Sequence, residues 1–268
     1  MIAAVAVVAV FATIAVLGRS HRPGSAGPGR HALRLWADFP VDAAPRPLVL
    51  TGPDIINPMS GFPNGEDKMA YILGSFELKT ALPVGPATTN GQQLISAAQA
   101  VADLRAQGDT KQVASTPLRI TSVKLGTGKF STDRGSRSLP AWIFRFAGVP
   151  DPALVLAVPP ADRWPRPGMP TNDGGPGGVS ISSDGSRVTL TFYGAAPGTG
   201  PCEAEYTADV AQSATTVSIS PRELPNPGND GQASCDLAAH RRTLTVALQP
   251  PLGNRVIIDS HGVPLAGL

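Results

Sequence analysis

Glycine and proline recur so often along this chain that long uninterrupted helices have little room to form. The 268 residues include 29 glycines and 28 prolines, whereas these two types make up roughly 12% of an average protein. Glycine weakens a helix through its backbone freedom, and proline removes a backbone donor and fixes φ. We therefore expect short elements joined by many turns, in one large domain or two modest ones.

The N-terminal residues form an apolar run of the length that enters or crosses a membrane. Residues 2–17 carry no charge, and Thr13 is their only polar side chain. A membrane-spanning helix needs about 20 apolar residues, and the apolar region of a signal peptide has roughly 7–15. The run predicts a transmembrane or signal-anchor segment at 1–18, followed by a Gly/Pro-rich stalk at 19–32. A buried core helix is the alternative.

The predicted location is the cell membrane, crossed once, with the C-terminal bulk outside the cytoplasm. The protein would be secreted if the N-terminal segment is cleaved. One feature favours the opposite orientation: Arg19, Arg22 and Arg30 follow the apolar run, and the positive-inside rule places such residues in the cytoplasm.

A second Pro/Gly-rich segment divides the rest of the chain. Residues 159–178 contain six prolines and five glycines, a composition typical of linkers. We predict an α+β domain at 33–158, this linker, and a small all-β domain at 179–268.

Periodicity locates the main elements of the α+β domain. Within residues 90–108, apolar residues recur at helical spacing, with Asn90 placed to cap the start and Gly108 the end. Residues 46–50 predict a short strand. Residues 118–125 predict a strand with one imperfect face. The segment 64–78 fits either a helix or a strand.

The stretch at 130–146 combines a charged loop with three bulky aromatic residues. Trp142, Phe144 and Phe146 share one side of a predicted strand, which residues 153–158 can pair beside. We interpret the aromatic residues as core and the preceding charged residues as a solvated hairpin loop. The alternative is a binding site for an anionic or sugar-like ligand, which requires an exposed Trp142. Its residues would be Asp133, Arg134, Arg137 and Trp142.

The C-terminal region is composed of strand and turn patterns. Six short runs are rich in β-branched residues or alternate apolar with polar residues, and turn residues separate them. This spacing predicts a small antiparallel sandwich or barrel. A domain of this size has a thin core, so a covalent cross-link would stabilise it appreciably.

The chain has two cysteines, Cys202 and Cys235, both in the predicted β domain. Behind an export segment, such a pair predicts a disulfide bond. In the chain-entropy model the closed loop contributes about 3–4 kcal/mol. Two free buried thiols or half of a metal site are the alternatives.

Four motifs resemble those of a family of uncharacterised exported or membrane-anchored proteins of actinobacteria. They lie at 200–210, 233–248, 250–259 and 130–146, reading GPCEAEYTADV, ASCDLAAHRRTLTVAL, PPLGNRVIID and FSTDRGSRSLPAWIFRF. The resemblance covers most of residues 36–268. It implies location and domain layout, and it carries no activity or catalytic residues.

Catalytic and metal-binding patterns are scarce in the sequence. Nucleophilic catalysis needs a base beside the nucleophile, and no Gly-x-Ser-x-Gly elbow or clustered Cys/His motif is present. Two of the four histidines lie in or beside the stalk and two lie close to an aspartate: His21, His31, and the pairs His240–Asp236 and His261–Asp259. We interpret them as surface residues, and Asp173 and Asp230 as turn residues. We predict no catalytic residue, metal site or cofactor.

Two further stretches are distinctive. The segment 126–131 resembles a broken glycine fingerprint, and we interpret it as a turn rather than a phosphate-binding loop. At 250–255, Pro251 and Gly253 predict a rigid turn. We expect Arg255 to pair with a carboxylate such as Asp259; a contact surface is the alternative.

These patterns together predict a non-enzymatic, membrane-anchored protein of the cell envelope. Its partners would be the membrane, through residues 1–18, and another envelope protein or a wall polymer. The net charge of +2 is too small for the basic field of a nucleic-acid-binding protein. Two alternatives stay open: an extracytoplasmic hydrolase whose carboxylates meet only in the fold, and a small-ligand binder with a pocket between its domains.

Overall fold

The structure, a computed structural model, describes residues 28–84, 88–89, 91–108, 116–165, 177–228, 233–236 and 238–268. The predicted anchor at 1–18, residues 19–27 of the predicted stalk, and Asn90, Asp173 and Asp230 lie outside the described residues. Within the described ranges, no helix combines the length and apolar character needed to cross a membrane. The fold is mixed α+β and consists mostly of β-sheet.

The first half of the described chain builds a five-stranded sheet on which α2 and α3 pack, whereas α1 packs against the second half of the chain. Its elements are α1 (Pro28–Leu35), β1 (Ile55–Ile56), α2 (Gly65–Ile72), β2 (Phe76–Leu78), β3 (Thr88–Thr89), β4 (Gln92–Gln93), α3 (Ala97–Ala106), β5 (Leu118–Thr132), β6 (Gly135–Phe146) and β7 (Ala153–Leu156). Five strands form a sheet in the order β1-β7-β6-β5-β2, in which only β2 and β5 are parallel. Strands β3 and β4 pair separately.

The segment that fits either a helix or a strand forms one of each. Asn64 caps α2 by accepting a hydrogen bond from the backbone N–H of Asp67. Gly74 then reverses the chain at φ +65°, a left-handed conformation that favours glycine, and a Cβ there would lie 2.4 Å from the carbonyl oxygen of Arg105. The chain continues as β2.

The predicted helix within 90–108 is confirmed, but it begins later than its periodicity indicates. Ser96, not Asn90, caps α3 by accepting a hydrogen bond from the N–H of Gln99. Leu94 and Ile95 precede the helix because Ile95 N–H donates to Ala157 on the neighbouring β7 segment. Apolar spacing alone cannot separate a buried lead-in from a first helical turn.

The imperfect face of the strand predicted at 118–125 has a structural cause. The pairing between β5 and β6 shifts register between Ile120 and Ser122, which is a β-bulge. Ile120 and Val123 are both buried although they differ in parity, because the extra residue moves the following side chains to the opposite face.

The expectation of a turn at 126–131 is wrong. These residues lie inside β5, paired with β6. A Cβ on Gly126 would lie 2.6 Å from Ile143 Cδ1, and one on Gly128 would lie 2.9 Å from Leu154 Cδ1. The glycines therefore leave room for apolar side chains of neighbouring strands.

The aromatic residues of β6 are core residues, as predicted. Trp142, Phe144 and Phe146 are buried in a cluster with residues of α2, α3, β2, β5 and β7. Strand β7 pairs beside β6, also as predicted. A second cluster around Phe130 and Leu156 covers the opposite face of the sheet near the hairpin tip.

The second half forms two three-stranded sheets that share a core. Its strands are β8 (Gly178–Ile181), β9 (Arg187–Gly194), β10 (Tyr206–Gln212), β11 (Thr216–Glu223), β12 (His240–Ala247) and β13 (Val256–Ile258). The sheets have the orders β12-β9-β8 and β10-β11-β13. Leu190 and Phe192 of the first sheet pack against Val217 and Ile219 of the second. The six predicted strands are all present.

The arrangement departs from a purely antiparallel sandwich, because β13 runs parallel to β11. Only strands joined by a tight turn must be antiparallel. Along the chain, β12 lies between β11 and β13 and belongs to the facing sheet. The chain therefore returns to the second sheet with β13 parallel to β11.

The two halves share a third apolar cluster. Trp36, Phe39 and Val49 pack against Val256 and Ile258 of the β domain. Trp36 Nε1 also donates to the carbonyl oxygen of Gly262 at 2.8 Å. Residues 28–32 of the predicted stalk belong to α1, because Ala32 is buried in this cluster. The domain boundary at 159–178 stays a prediction.

Candidate functional site

The tip of the β5–β6 hairpin contains a buried ion-pair cluster. Asp133 Oδ2 lies 2.5 Å from Arg46 Nη2 and 3.7 Å from Arg134 Nε. The side chain of Asp133 is only 3% exposed, and those of Arg46 and Arg134 are 17% and 28% exposed. The expectation of a solvated loop is therefore wrong for Asp133, because an arginine 87 residues earlier supplies its countercharge.

Both arginines also donate hydrogen bonds to backbone carbonyl groups of the loop at 250–255. Arg134 Nη2 donates to the carbonyl oxygens of Gly253 and Arg255, both at 2.8 Å. Arg46 Nε donates to the carbonyl oxygen of Asn254 at 3.0 Å. Burial lowers the pKa of Arg134, and Asp133 opposes that shift. The guanidinium groups of Arg46 and Arg134 pair with Asp133 and donate to the 250–255 loop. The cluster therefore connects the two halves of the chain, and we call it the joint.

The other two residues of the predicted binding loop lie apart from this joint. Trp142 is 3% exposed, and its Nε1 donates to the carbonyl oxygen of Ile95 at 2.9 Å. Arg137 is exposed and lies opposite Phe130 on β5. The structure does not bring Asp133, Arg134, Arg137 and Trp142 into one exposed site, because strand alternation directs the indole into the core.

Arg255 is 7% exposed, but its partners are carbonyl groups and not Asp259. It donates to the backbone oxygens of Pro250, Pro251 and Leu252 and to Gln212 Oε1. Burial lowers the pKa of its guanidinium. The expected pairing with a carboxylate is therefore wrong, since backbone oxygens of the 250–255 turn already satisfy the donors.

The predicted disulfide bond joins Cys202 and Cys235, with the Cα atoms 5.5 Å apart. Both cysteines are exposed. The bond forms one wall of an open cleft of about 490 Å³ at the end of the sandwich. Polar side chains line this cleft, namely those of Glu203, Glu223, Asp236 and His240.

Neither predicted histidine–aspartate pair forms a hydrogen-bonded dyad in the described part of the chain. His261 Nδ1 lies 3.9 Å from Asp259 Oδ2, and the His261 side chain is 57% exposed. Asp259 Oδ1 instead accepts from the N–H groups of His261 and Val263. Asp236 Oδ1 accepts from Ala238 N–H. Across the described ranges, no group of three or more metal-ligating side chains is positioned to hold a metal ion.

The outer side of the β12-β9-β8 sheet is the most distinctive exposed surface. Alternation along each strand places Val188, Leu190 and Phe192 inside and their neighbours outside. We call this surface the hydroxyl face. Its exposed or half-exposed members are Ser180, Arg187, Thr189, Tyr193, Arg241, Thr243, Thr245 and Ala247, whereas Thr191 lies on the same side of the sheet but is buried, at 7% exposed.

Threonine rows run across the centre of the hydroxyl face. Thr189 lies opposite Thr245, with the hydroxyl oxygens 3.0 Å apart, and Thr191 lies opposite Thr243. Tyr193 is 59% exposed and lies opposite Arg241 at one end of the hydroxyl face. Strands β8, β9 and β12 contain no aspartate or glutamate. The face combines hydrogen-bonding hydroxyls, an exposed ring and positive charge.

Neither Arg46 nor the hydroxyl face is predicted from the sequence. Nothing local connects Arg46 with Asp133, because the contact depends on how two distant segments pack. Part of the hydroxyl face could have been predicted from the sequence, because Thr-Leu-Thr occurs in both β9 and β12. That these two segments lie side by side is visible only in the fold.

Comparison of the chain with protein-family models, with curated proteins and with solved structures gives no match.

Proposed function

We propose that this protein is a non-enzymatic, membrane-anchored module of the cell envelope that binds an acidic wall polysaccharide through the hydroxyl face. The observation that carries the binding proposal is the chemistry of that face. Hydroxyl groups can exchange hydrogen bonds with sugar hydroxyls, and an exposed aromatic ring offers a surface on which a sugar ring can stack. Arginine pairs with carboxylates or phosphates in a forked geometry.

Two features support an extracytoplasmic location. The disulfide bond is exposed at the surface, and such bonds persist in oxidising compartments. The apolar N-terminal run has the composition of an anchor or export segment. The resemblance to exported and membrane-anchored actinobacterial proteins agrees with both.

The location is tested by labelling Cys202 and Cys235 in intact cells with a membrane-impermeant thiol reagent. We expect labelling only after a reductant has been added, because the cysteines are paired and lie outside the membrane. The Cys202→Ser/Cys235→Ser variant controls for labelling of other proteins. Free thiols that react only after lysis would contradict the location and favour a cytoplasmic orientation.

The binding is tested with the purified full chain in mild detergent. We expect it to bind polygalacturonate, which carries carboxylates, more tightly than neutral dextran. Tyr193→Ala and Arg241→Ala should each weaken binding about 10-fold, equivalent to roughly 1.4 kcal/mol. The matched control is Arg222→Ala, which removes a half-exposed arginine from the other sheet.

Two results would contradict a role for the hydroxyl face in binding. Equal losses from Arg241→Ala and Arg222→Ala would indicate unspecific charge attraction. A loss from Glu223→Gln, with Tyr193→Ala unaffected, would place binding in the cleft beside the disulfide bond. That cleft supports the second candidate function, the binding of a small ligand.

A further inference from the structure

Strand β12 has a long edge without backbone hydrogen-bond partners in the described residues, although β10 of the facing sheet lies near it. Strand β12 is the outermost strand of its sheet and pairs with β9 along all eight residues from His240 to Ala247. Among the described residues, no backbone hydrogen bond from another segment reaches its other side. Native proteins cover or interrupt such edges, because unpaired backbone groups form a template for another strand.

The pairing with β9 shows which backbone groups are free. Leu248 N–H donates to the carbonyl oxygen of Ser186 in the register of the β9–β12 ladder. A residue in an antiparallel ladder directs its N–H and C=O to the same neighbour. The even-numbered residues of β12 therefore bond to β9, and the odd-numbered ones direct their backbone groups to the free edge. These are Arg241, Thr243, Thr245 and Ala247.

We propose that this edge pairs with β12 of a second copy of the chain, antiparallel and centred on Leu244. In that register Thr243 lies opposite Thr245 of the second copy, and Arg241 lies opposite Ala247 of the second copy. The two free edges then exchange eight backbone hydrogen bonds. A two-fold axis generates all of them, because each residue pair occurs twice.

The side chains suit this register. Leu244 meets its own copy at the axis, on the side of the sheet that faces the core. No two like charges lie directly opposite each other, because each Arg241 faces an alanine. The pairing joins two three-stranded sheets into one of six strands and doubles the hydroxyl face.

Strand β10, the other long edge, does not suit self-pairing. Leu224 N–H donates to the carbonyl oxygen of Glu205 in register with the β10–β11 ladder, so the even-numbered residues of β10 face its free edge. Full-length antiparallel self-pairing would centre on Asp209 and place two carboxylates directly opposite each other, which is destabilising. The edge of β8 is already closed, since Val179 bonds to Ala266 and Leu268.

The test is the protein mass of the full chain in mild detergent, measured by size-exclusion chromatography with light scattering and corrected for bound detergent. We expect the wild type to have twice the 27.6 kDa mass of one chain. Thr243→Lys/Thr245→Lys should have the mass of one chain, because lysines then lie opposite lysines. Ser180→Lys, an exposed position on the same face but at the β8 edge, should leave the double mass unchanged.

A charge-swap experiment separates lost pairing from lost folding. Thr243→Glu/Thr245→Glu should also have the mass of one chain, and mixing it with the double-lysine variant should restore the double mass. A single-chain mass for the wild type at every concentration would overturn the proposal. So would a double mass for the double-lysine variant, which would show association through another surface, or folded charge variants that do not recombine. These outcomes are independent of cell location and of polysaccharide binding.

Discussion

Replacing Trp142 by alanine is expected to lower the free energy of unfolding by about 3–5 kcal/mol. The side chain is 3% exposed and packs within the largest apolar cluster, so its removal deletes buried surface and leaves a cavity. The indole N–H also bonds to the carbonyl oxygen of Ile95, which holds the segment before α3 against the sheet. Urea denaturation of the full chain in mild detergent, followed by circular dichroism, measures the effect.

Two control variants divide the contributions of Trp142. Trp142→Phe keeps an aromatic ring but leaves Ile95 without its donor, and we expect a smaller loss of about 1–3 kcal/mol. Tyr193→Ala removes an exposed aromatic residue and should change the free energy of unfolding by no more than about 0.5 kcal/mol. If Trp142→Ala were as stable as Tyr193→Ala, the indole would be exposed in solution, and the predicted binding loop would regain its aromatic residue.

The second large effect is expected at the joint between the two halves. Asp133→Ala should cost about 3 kcal/mol, because it removes a buried carboxylate and leaves Arg46 and Arg134 without their countercharge. The partial exposure of both arginines keeps the expected loss at the lower end of the range for buried pairs. The same urea titration measures it, with circular dichroism and with the summed fluorescence of the three tryptophans, of which Trp36 lies beside the joint.

The matched control for Asp133 is Asp209. Asp209 pairs with Arg222 at 2.8 Å, but both side chains are more than half exposed. Asp209→Ala should therefore cost no more than about 1 kcal/mol. Combining Asp133→Ala with Arg46→Ala should cost less than the sum of the single losses, since the two residues interact directly. Additive losses would contradict a direct ion pair, and equal effects at Asp133 and Asp209 would contradict its burial.

The contacts at the joint restrict the movement of the two halves relative to each other. A Pro/Gly-rich linker by itself suggests domains that move independently. The cluster around Trp36 and Val256, together with the hydrogen bonds that Arg134 donates to the 250–255 loop, instead fixes the hairpin tip against the β domain. The proposed binding of an extended polymer would then use a hydroxyl face held in one orientation relative to the first sheet.

Local pattern determined much of this protein. The alternation of Trp142, Phe144 and Phe146 predicts a strand with a buried side, and turn residues predict the six strands of the β domain. The two cysteines behind an export-like segment predict a disulfide bond, and a single pair allows one intramolecular pairing. These features depend on residues close in sequence, or on a choice with one solution.

Only the tertiary structure decided the features that join distant segments. The partner of Asp133 is 87 residues away, and Arg255 bonds to carbonyl groups rather than to the nearby Asp259. The bulge in β5 and the parallel pairing of β13 with β11 likewise depend on neighbouring strands. A sequence pattern shows which side of a helix or strand is apolar. Ion pairs, register and strand order depend instead on which distant segments pack together. Burial then decides how strongly an ion pair contributes, because the interaction between charges is stronger away from water.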